Sequence, residues 1–342
     1  MASAAVGVSE APLTEQAFGF QSIIGDSAPL RDALKLAKTV ASARRTTVLL
    51  IGETGTGKEL FARGIHYASA NADEPFVAIN CAAIPEALLE SELFGHERGA
   101  FTGAHSRKQG LLELAGSGAL FLDEVHQLPR QLQPKLLRAL ESRRVRRLGG
   151  LEEFSIDCRI IAAASPMLDQ VVASGEFRED LFYRLNVFAI TLPPLRDRLE
   201  DIEAIARHFL AEETREYQHP KRFADDAIAA LLVHRWPGNV RELKNVVERA
   251  AILSADSAVV RGEHLMIQKR TARVSTAEPS LGEIRIPPGG KLMVDIEREA
   301  VAITLRLTGG NQAAAARMLG ISRPTLFKRM AAIESSAGAT ES

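Results

Sequence analysis

The feature that most constrains the fold is a glycine-rich run between an apolar β segment and an amphipathic helix. Residues Thr46–Ile51 are mostly β-branched or aliphatic, and Lys58–Ala68 has apolar residues at helical spacing. A strand that turns sharply into a helix directs backbone N–H groups and the helix N-terminus at one point, which suits a phosphate group. The run between the two segments consists of Gly52, Glu53, Thr54, Gly55, Thr56, Gly57 and Lys58.

This run, together with the following Glu59, predicts a nucleotide-binding loop in which Lys58 reaches the terminal phosphates. Its glycines let the backbone turn inward around phosphate oxygens. The general pattern has Ser or Thr after the lysine as a magnesium ligand, whereas this chain has Glu59. We therefore expect Mg²⁺ to depend on another carboxylate and on water. The alternative, a glycine-rich turn that binds nothing, is disfavoured because both the spacing and the context fit.

A second apolar segment ends in two carboxylates. Residues Ala119–Leu122 are followed by Asp123 and Glu124. Ligands of open α/β sheets bind at the carboxyl ends of the strands. We expect Asp123 to hold Mg²⁺ and Glu124 to polarise the attacking water of phosphoryl transfer. Alone, the pair would suit a solvated strand end equally well, but the nucleotide loop favours the catalytic interpretation.

The remaining β segments predict a doubly covered α/β fold. They are Phe76–Asn80, Cys158–Ala163 and Val187–Thr191, with a helical pattern such as Leu132–Leu140 between most of them. Strands alternating with helices predict a mostly parallel sheet with helices on both faces. From Leu199 the pattern is helical, which predicts an all-helical domain with helices at Asp201–Glu213, Ala224–His234 and Val240–Leu253.

The last part of the chain predicts a helix-turn-helix. Helical spacing resumes at Asp295–Leu307, followed by short helices at Gln312–Leu319 and Arg323–Ile333. Gly320 suits a left-handed turn, and Ser322 can cap the next helix. Residues 308–331 carry basic residues and no acidic one, which fits phosphate contacts, although a helical dimerisation tail is the alternative. The candidate DNA-contacting residues are Arg317, Ser322, Arg323, Thr325, Lys328 and Arg329.

Composition limits the partners and the compartment. The 42 basic and 43 acidic residues give a net charge of -1, so any nucleic-acid surface must be local. The two cysteines, Cys81 and Cys158, lie far apart and suggest neither a zinc site nor a disulfide framework. No apolar stretch approaches membrane-spanning length, and the N-terminus lacks the pattern of a signal peptide. We expect a cytoplasmic protein without membrane contact.

One further motif gives the chain a family resemblance. Within ESELFGHERGAFTGA lies the hexapeptide Gly99, Ala100, Phe101, Thr102, Gly103 and Ala104. In this motif, and in the nucleotide loop and the acidic pair, the sequence resembles the sigma-54-dependent enhancer-binding activators of the AAA+ family. The resemblance implies that the hexapeptide forms a surface loop that contacts sigma-54. Two glycines supply backbone freedom and Phe101 supplies an exposed anchor, whereas a buried turn is the alternative.

Other stretches imply further roles through the same resemblance. Asn80 matches the polar residue that switches the catalytic glutamate, here Glu124. The segment GEFREDLFYRL matches the one that carries arginine fingers, so Arg178 and Arg184 are candidates, with surface ion pairs as the alternative. In WPGNVREL, Arg241 matches a residue that contacts nucleotide from a helical lid. The structural alternative there is a capping pair formed by Asn239 and Glu242.

Two departures from the family stand out. Where the family has Thr-Asn at the sensor 1 position, this chain has Ala164-Ser165, which puts sensing of the γ-phosphate in doubt. About 17 residues precede the match, too few for the regulatory domain of most relatives. We therefore expect control by a separate regulatory protein, by expression level or by a domain outside this sequence.

Taken together, the sequence predicts an AAA+ P-loop NTPase core, a helical lid and a C-terminal helix-turn-helix. The predicted boundaries are a flexible tail at 1–17, the α/β ATPase core at 18–191, the lid at 192–268, a linker at 269–290, the DNA-binding domain at 291–334 and a tail at 335–342. The resemblance implies a homo-oligomeric ring, expected to be a hexamer, that uses ATP and Mg²⁺.

The predicted function is ATP-driven remodelling of the closed complex of sigma-54 RNA polymerase, from double-stranded DNA sites upstream of promoters. The rival is a nucleotide-regulated DNA-binding regulator with a degenerate ATPase and no sigma-54 remodelling. The altered sensor 1 residues favour that rival, whereas Glu124 and the Phe101-Thr102 pair oppose it. An ATP-driven unfoldase is disfavoured, because nothing in the sequence resembles a protease-docking or substrate-pore element.

Overall fold

The computed structural model describes residues 6–7, 19–215, 220–254, 257–267 and 292–337. They divide into two compact units, residues 1–267 and residues 268–342. The predicted linker at 269–290 lies outside the described residues, as does most of the predicted tail at 1–17. Within the described residues, no helix is long and apolar enough to span a membrane.

Twelve described strands form one large sheet and three small two-stranded sheets. The large sheet has the order β1-β3-β6-β9-β2-β10, parallel except at β1, which pairs antiparallel with β3. The strands are β1 (Val6–Gly7), β2 (Val48–Ile51), β3 (Phe76–Asn80), β4 (Gly95–His96), β5 (Lys108–Gln109), β6 (Ala119–Asp123), β7 (Arg144–Arg146), β8 (Glu153–Ser155), β9 (Arg159–Ala164), β10 (Phe188–Thr191), β11 (Arg222–Phe223) and β12 (Val259–Val260).

Thirteen described α-helices accompany these strands. The helices are α1 (Ala28–Ala41), α2 (Lys58–Tyr67), α3 (Glu86–Phe94), α4 (Leu111–Leu114), α5 (Gln133–Ser142), α6 (Leu168–Ala173), α7 (Glu179–Leu185), α8 (Leu199–Glu213), α9 (Asp225–Val233), α10 (Asn239–Leu253), α11 (Met293–Leu307), α12 (Gln312–Met318) and α13 (Arg323–Ala337). The first seven belong with the large sheet, α8 to α10 form the lid, and the last three form the second unit. The predicted α/β core with helical lid and C-terminal helix-turn-helix is confirmed.

Alternate residues of the central strands pack into two cores on opposite faces of the sheet. In β2, Val48 and Leu50 join the core beneath α1 and α2, whereas Leu49 joins the core beneath α3, α5 and α7. Successive side chains of a strand point to opposite faces, so a strand covered on both sides is apolar throughout. This burial explains why VLLI is a continuous apolar run. β2 ends at Ile51, immediately before the glycine-rich loop.

The lid differs from the all-helical prediction. Its helices pack around Trp236, which is fully buried and donates Nε1–H to the carbonyl of Leu231 at 2.9 Å. Two short strands, β11 and β12, also pair in parallel within the lid. The prediction missed them because two residues are too few for an alternating pattern, and their pairing depends on distant backbone.

The second unit forms a small core of its own around Val301, Ala315, Ala316 and Leu326. The turn before α13 has the predicted chemistry: Gly320 has a φ of +67°, and the hydroxyl of Ser322 accepts the backbone N–H of Thr325 at 3.3 Å. Helix α13 continues to Ala337, so the tail predicted from residue 335 is wrong for its first three residues, and the rest lies outside the described residues. The tail predicted at 1–17 is wrong at β1, which adds an edge strand to the sheet.

Candidate nucleotide site and its surface loop

The glycine-rich loop has the backbone shape that its sequence predicts. Gly55 and Gly57 have φ values of +82° and +102°, in the left-handed region where side chains are strained. A Cβ atom on Gly55 would also lie 2.3 Å from the carbonyl oxygen of Gly238, so the lid approaches too closely for any other residue. Gly57 precedes α2 directly, which places the N-terminus of that helix at the loop.

Lys58 is buried at the centre of the loop. Its Nζ donates to the carbonyls of Gly52 at 2.8 Å and Glu53 at 3.3 Å, and lies 3.9 Å from Oε1 of Glu124. Burial lowers the pKa of Lys58, while the carboxylates of Glu124 and Asp123 oppose that shift. The ammonium is therefore held between the phosphate-binding loop and the acidic end of β6.

The acidic pair lies at the carboxyl end of β6, as predicted. Burial raises the pKa of Asp123, and the neighbouring Glu124 raises it further. The backbone N–H of Glu124 donates to Oδ1 of Asp123 at 3.0 Å. Glu124 has a φ of +52°, which is uncommon for a residue other than glycine and turns the chain out of the strand.

Asn80 contacts Asp123 in this structure, and not Glu124 as the predicted switch would. Asn80 and Asp123 are direct partners in the β3–β6 pairing, so their side chains share one face of the sheet. The amide Nδ2 of Asn80 donates to Oδ2 of Asp123 at 3.2 Å, and its Oδ1 accepts the backbone N–H of Ala82. The pairing of β3 with β6 ends at Asp123, and Glu124 comes after it. Asn80 therefore contacts Asp123 and not the predicted Glu124.

Glu59, which the sequence predicts as part of the nucleotide-binding loop, forms an ion pair along α2. Its carboxylate is more than half exposed and accepts a hydrogen bond from Arg63 at 2.8 Å, one turn along α2. Asp123, which is half-buried beside Glu124, remains the candidate carboxylate for a divalent cation. These residues fit Mg·ATP, because the loop presents glycine backbone and a lysine for phosphates, with carboxylates beyond them for a hard cation.

The lid contacts the loop through Asn239, which the sequence assigned to a capping pair. Asn239 does not cap α10: its Oδ1 accepts the backbone N–H of Leu195, and its Nδ2 donates to Glu53 and to the carbonyl of Thr54. Glu242 instead accepts the backbone N–H of Gly238 at 2.8 Å. The alternative of a capping pair is excluded at Asn239, because the helix is preceded by Gly238 as its N-cap and Asn239 has a φ of +52° and is fully buried.

Arg241 and an apolar pocket are two further features of the nucleotide site on the side of the lid. The Cβ of Arg241 lies 3.1 Å from the position of a Cβ built on Gly55, and its charge lowers the pKa of Lys58. A pocket of about 180 Å³ lies between loop and lid, with a largely apolar lining that includes Ile24, Phe209 and Val240. An apolar pocket beside a phosphate site suits a nucleoside base.

Sequence reasoning missed Arg198 in this pocket. Its side chain is 4% exposed and donates to the carbonyl of Thr56 at 3.2 Å. Burial lowers its pKa, and its Nε lacks a hydrogen-bond partner among the described residues. The available signal was the run LPPLRDR, which follows β10 and ends in Arg198.

The two candidate fingers lie outside this site. Arg178 precedes α7 and forms an exposed bidentate pair with Asp180, which raises the pKa of the arginine. Arg184 lies within α7 and donates to the carbonyl of Leu140 at 2.9 Å. Among the described contacts, neither guanidinium touches the nucleotide loop, Asp123 or Glu124.

The hexapeptide forms the tip of a hairpin built from β4 and β5. Gly99 and Gly103 have φ values of +82° and +105°. The backbone carbonyl of Ala104 accepts the N–H of Gly99 at 2.8 Å, which closes the turn. Phe101 is 41% exposed and contacts His96 edge-on at 5.0 Å between ring centroids. The hairpin therefore presents a large aromatic side chain at the surface, and the buried-turn alternative is excluded.

Arg147 braces the base of this hairpin. It is buried, with bidentate contacts to Glu113 and a 2.9 Å contact to Glu97 at the start of the loop. The adjacent Leu148 also pairs with β4, and a Cβ on Gly149 would lie 2.9 Å from that of Ala100. The loop between β7 and β8 thus packs directly against the hexapeptide.

The candidate DNA-contacting residues cluster around the start of α13. Ser322, Arg323 and Lys328 are exposed, and Thr325 is half-buried where its hydroxyl meets that of Ser322. Arg317 is exposed on the preceding helix, whereas Arg329 pairs with Glu297 of α11. Arg329 therefore also links α13 to α11.

Three known families match consecutive parts of the chain. Residues 23–191 match the Sigma-54 interaction domain, residues 196–280 match the AAA+ ATPase lid domain, and residues 293–332 match the bacterial regulatory proteins of the Fis family. The three matches follow the order of the sheet, the lid and the helix-turn-helix.

Curated relatives match across nearly the whole chain. The transcriptional regulatory protein ZraR of Klebsiella oxytoca is 44% identical over 94% of this chain and 71% of that protein. The regulatory protein AtoC of Escherichia coli K12 is 45% identical over 88% of this chain and 64% of its own length. The nitrogen fixation protein VnfA of Azotobacter vinelandii is 45% identical over 90% of this chain, which spans 58% of it.

A solved structure gives the same result. NtrX from Brucella abortus, crystallised in complex with ATP, has a TM-score of 0.67 and 33% identity over 91% of this chain and 69% of that chain. Its complex with ADP has a TM-score of 0.66 and 32% identity over 92% of this chain and 70% of that chain. On this evidence the chain belongs to the sigma-54-dependent transcriptional activators, with an AAA+ ATPase domain and a DNA-binding Fis-type helix-turn-helix.

Proposed function

We propose that this chain hydrolyses Mg·ATP to convert the closed complex of sigma-54 RNA polymerase into the open complex, from DNA sites upstream of the promoter. The observation that carries the proposal is the exposed Phe101 at the tip of the β4–β5 hairpin. An exposed aromatic side chain on a loop with glycine hinges suits a protein partner. The hairpin and the nucleotide site belong to the same compact unit. A structural change at the nucleotide site can therefore be transmitted to the hexapeptide.

Within the site, each residue has a distinct role in this proposal. Lys58 and the backbone of the loop bind the phosphates, Arg241 approaches them from the lid, and Arg198 lines the pocket for the base. Asp123 holds Mg²⁺, which screens the negative charge of the phosphates when it is bound. Glu124 polarises the attacking water, and Asn80 orients Asp123.

The working form in this proposal is a homo-oligomeric ring, expected to be a hexamer, in the cytoplasm. Arg178 and Arg184 lie away from the chain's own loop, so they are available to a neighbouring subunit. The α12–α13 pair binds double-stranded DNA, with α13 in the major groove. A separate regulatory protein is a further partner that the proposal leaves open to experiment.

In vitro transcription with purified sigma-54 holoenzyme tests the proposal. We expect open complexes only with this protein and hydrolysable ATP, and none with a non-hydrolysable analogue. Normal ATP turnover without open-complex formation would contradict remodelling. If nucleotide alters DNA affinity in that case, the chain is a nucleotide-regulated DNA-binding regulator.

A further inference from the structure

The side chain of His126 is buried beside the proposed catalytic carboxylate without a hydrogen bond on one ring nitrogen. His126 lies in the 3-10 turn Val125–Gln127 that follows Glu124 directly, and its side chain is 9% exposed. Its Nδ1 is one of two buried side-chain nitrogens among the described residues that lack a hydrogen-bond partner. The nearest carboxylate atom is Oε2 of Glu124, at 3.5 Å. A buried, unpaired nitrogen that faces a carboxylate calls for an explanation.

The carboxylate of Glu124 lies between two nitrogen donors, each slightly too far away for a good hydrogen bond. Oε1 is 3.9 Å from Nζ of Lys58, and Oε2 is 3.5 Å from Nδ1 of His126. Lys58 is engaged by the carbonyls of Gly52 and Glu53 instead. The left-handed backbone of Glu124 holds the carboxylate in this position, and such strain is concentrated at functional sites.

Two strands flank β6: β3 ends in Asn80, which donates to Asp123, and β9 lies on the other side. The turn that carries His126 packs against β9, which ends in Ala164 with only a methyl group. The hydroxyl of Ser165 accepts the backbone N–H of Met167 at 3.3 Å. Among the described residues, the ion-pair contact recorded for Oε2 of Glu124 is the one with Nδ1 of His126.

We propose that His126 is a positioning residue for Glu124. When Lys58 binds phosphate, Nδ1–H of His126 donates to Oε2 of Glu124 and fixes the carboxylate that polarises the attacking water. Burial lowers the pKa of His126, so the ring is neutral near pH 7 and can carry its hydrogen on the nitrogen that faces the carboxylate. This inference rests on the role proposed for Glu124 in hydrolysis.

Two substitutions in the full-length protein separate positioning from packing. His126→Phe keeps the ring volume and removes the donor, whereas His126→Asn keeps an N–H close to the place of Nδ1. For His126→Phe we expect kcat to fall by roughly tenfold or more, with KM and the Kd for ADP unchanged. Affinity for ADP with aluminium fluoride, a mimic of the transferring phosphoryl group, should fall as well. His126→Asn should restore both.

Glu124→Gln serves as the reference variant. If His126→Phe retains wild-type kcat and aluminium-fluoride affinity while Glu124→Gln is inactive, the positioning role is overturned and the role of Glu124 stands. If both His126 variants lose ADP affinity and melting temperature together, His126 is a packing residue and the proposal fails. If Glu124→Gln retains turnover, the role of Glu124 fails and that of His126 fails with it.

Discussion

Asn239 of the lid donates its side-chain Nδ2 to Oε2 of Glu53 in the phosphate-binding loop, across 3.1 Å. The same amide group donates to the carbonyl of Thr54 at 3.1 Å, and its oxygen accepts the backbone N–H of Leu195 at 2.7 Å. One buried side chain thus connects the phosphate-binding loop, the segment that follows β10 and the lid. Glu53 also pairs with Arg196 at that joint, and this pair lowers its pKa.

We predict that Asn239→Ala weakens both stability and nucleotide binding. Removing the amide leaves buried partners unpaired, which costs about 1–3 kcal/mol. The methyl group is also less favourable than asparagine at a φ of +52°. Thermal melting and the Kd for ATP measure the two effects. Glu248→Ala, at an exposed position on the same helix, is the control. An unchanged Kd in Asn239→Ala would show that the lid contact does not shape the loop.

Two substitutions in the nucleotide site should separate ATP binding from ATP hydrolysis. Lys58→Ala should abolish ATP binding, because it removes the buried ammonium that the loop holds. Glu124→Gln should bind ATP normally and lose hydrolysis, because the amide cannot polarise water as a carboxylate does. Equilibrium binding and phosphate release measure the two properties in each purified variant. Undiminished phosphate release by Glu124→Gln would contradict its assignment.

The central sheet could be predicted from the sequence because its strands are buried on both faces. A strand such as β9, with all six residues buried, leaves a continuous apolar run that needs no partner to be recognised. The two-residue strands β4, β5, β11 and β12 leave no such pattern. Each forms because a distant backbone segment offers hydrogen bonds, and that information is not local in the sequence.

The motifs of the nucleotide site could be predicted from the sequence, but the contacts between their side chains and other segments could not. The loop and the acidic pair are consecutive residues, so their spacing alone brings the groups together. The contact of Asn80 with Asp123 depends on the register between two strands, and that of Asn239 with Glu53 depends on how the lid docks. Arg198 and His126 were missed for the same reason, because their partners are set by packing.

The hairpin tip should act on sigma-54 without affecting ATP turnover. Phe101→Ala should abolish contact with sigma-54 and open-complex formation, because it removes the exposed aromatic group. Its ATPase activity should remain close to wild type, since the side chain does not touch the nucleotide site. Leu114→Ala is a matched control, because Leu114 is also 41% exposed but lies outside the loop. Normal activation by Phe101→Ala would give the loop another role.

The helix-turn-helix should carry specific DNA binding by itself. Truncation before Lys291 should remove operator binding and leave ATP hydrolysis, because the two compact units have separate cores. A gel-shift assay that shows unchanged operator affinity in the truncated chain would contradict this prediction.

Lys328 should contribute to DNA binding through phosphate rather than through base recognition. Lys328→Ala should weaken binding to all sequences and reduce the salt dependence of log K by about 1. Titrations at several salt concentrations measure that slope, with Arg298→Ala on α11 as the control. An unchanged slope would place Lys328 outside the DNA interface.

Catalysis should be shared between neighbouring subunits. Arg184 uses one N–H to hold the carbonyl of Leu140, and the guanidinium has further donors for a neighbour's phosphate. The changed sensor 1 pair, Ala164-Ser165, leaves one fewer side chain available in cis, so dependence on the neighbour should be strong. An arginine finger typically contributes about 10³–10⁵ in turnover. Arg184→Ala should therefore be nearly inactive although it binds ATP.

Mixing two inactive variants distinguishes a finger acting in trans from a structural arginine. Lys58→Ala lacks a nucleotide site but keeps Arg184, so a mixture with Arg184→Ala should recover part of the ATPase activity. The recovery should increase with protein concentration, because only assembled rings contain an intact loop facing an intact arginine. Size-exclusion chromatography verifies that the variants co-assemble. If co-assembled rings remain inactive, Arg184 is not the trans finger, and the same complementation with Arg178→Ala decides whether Arg178 is.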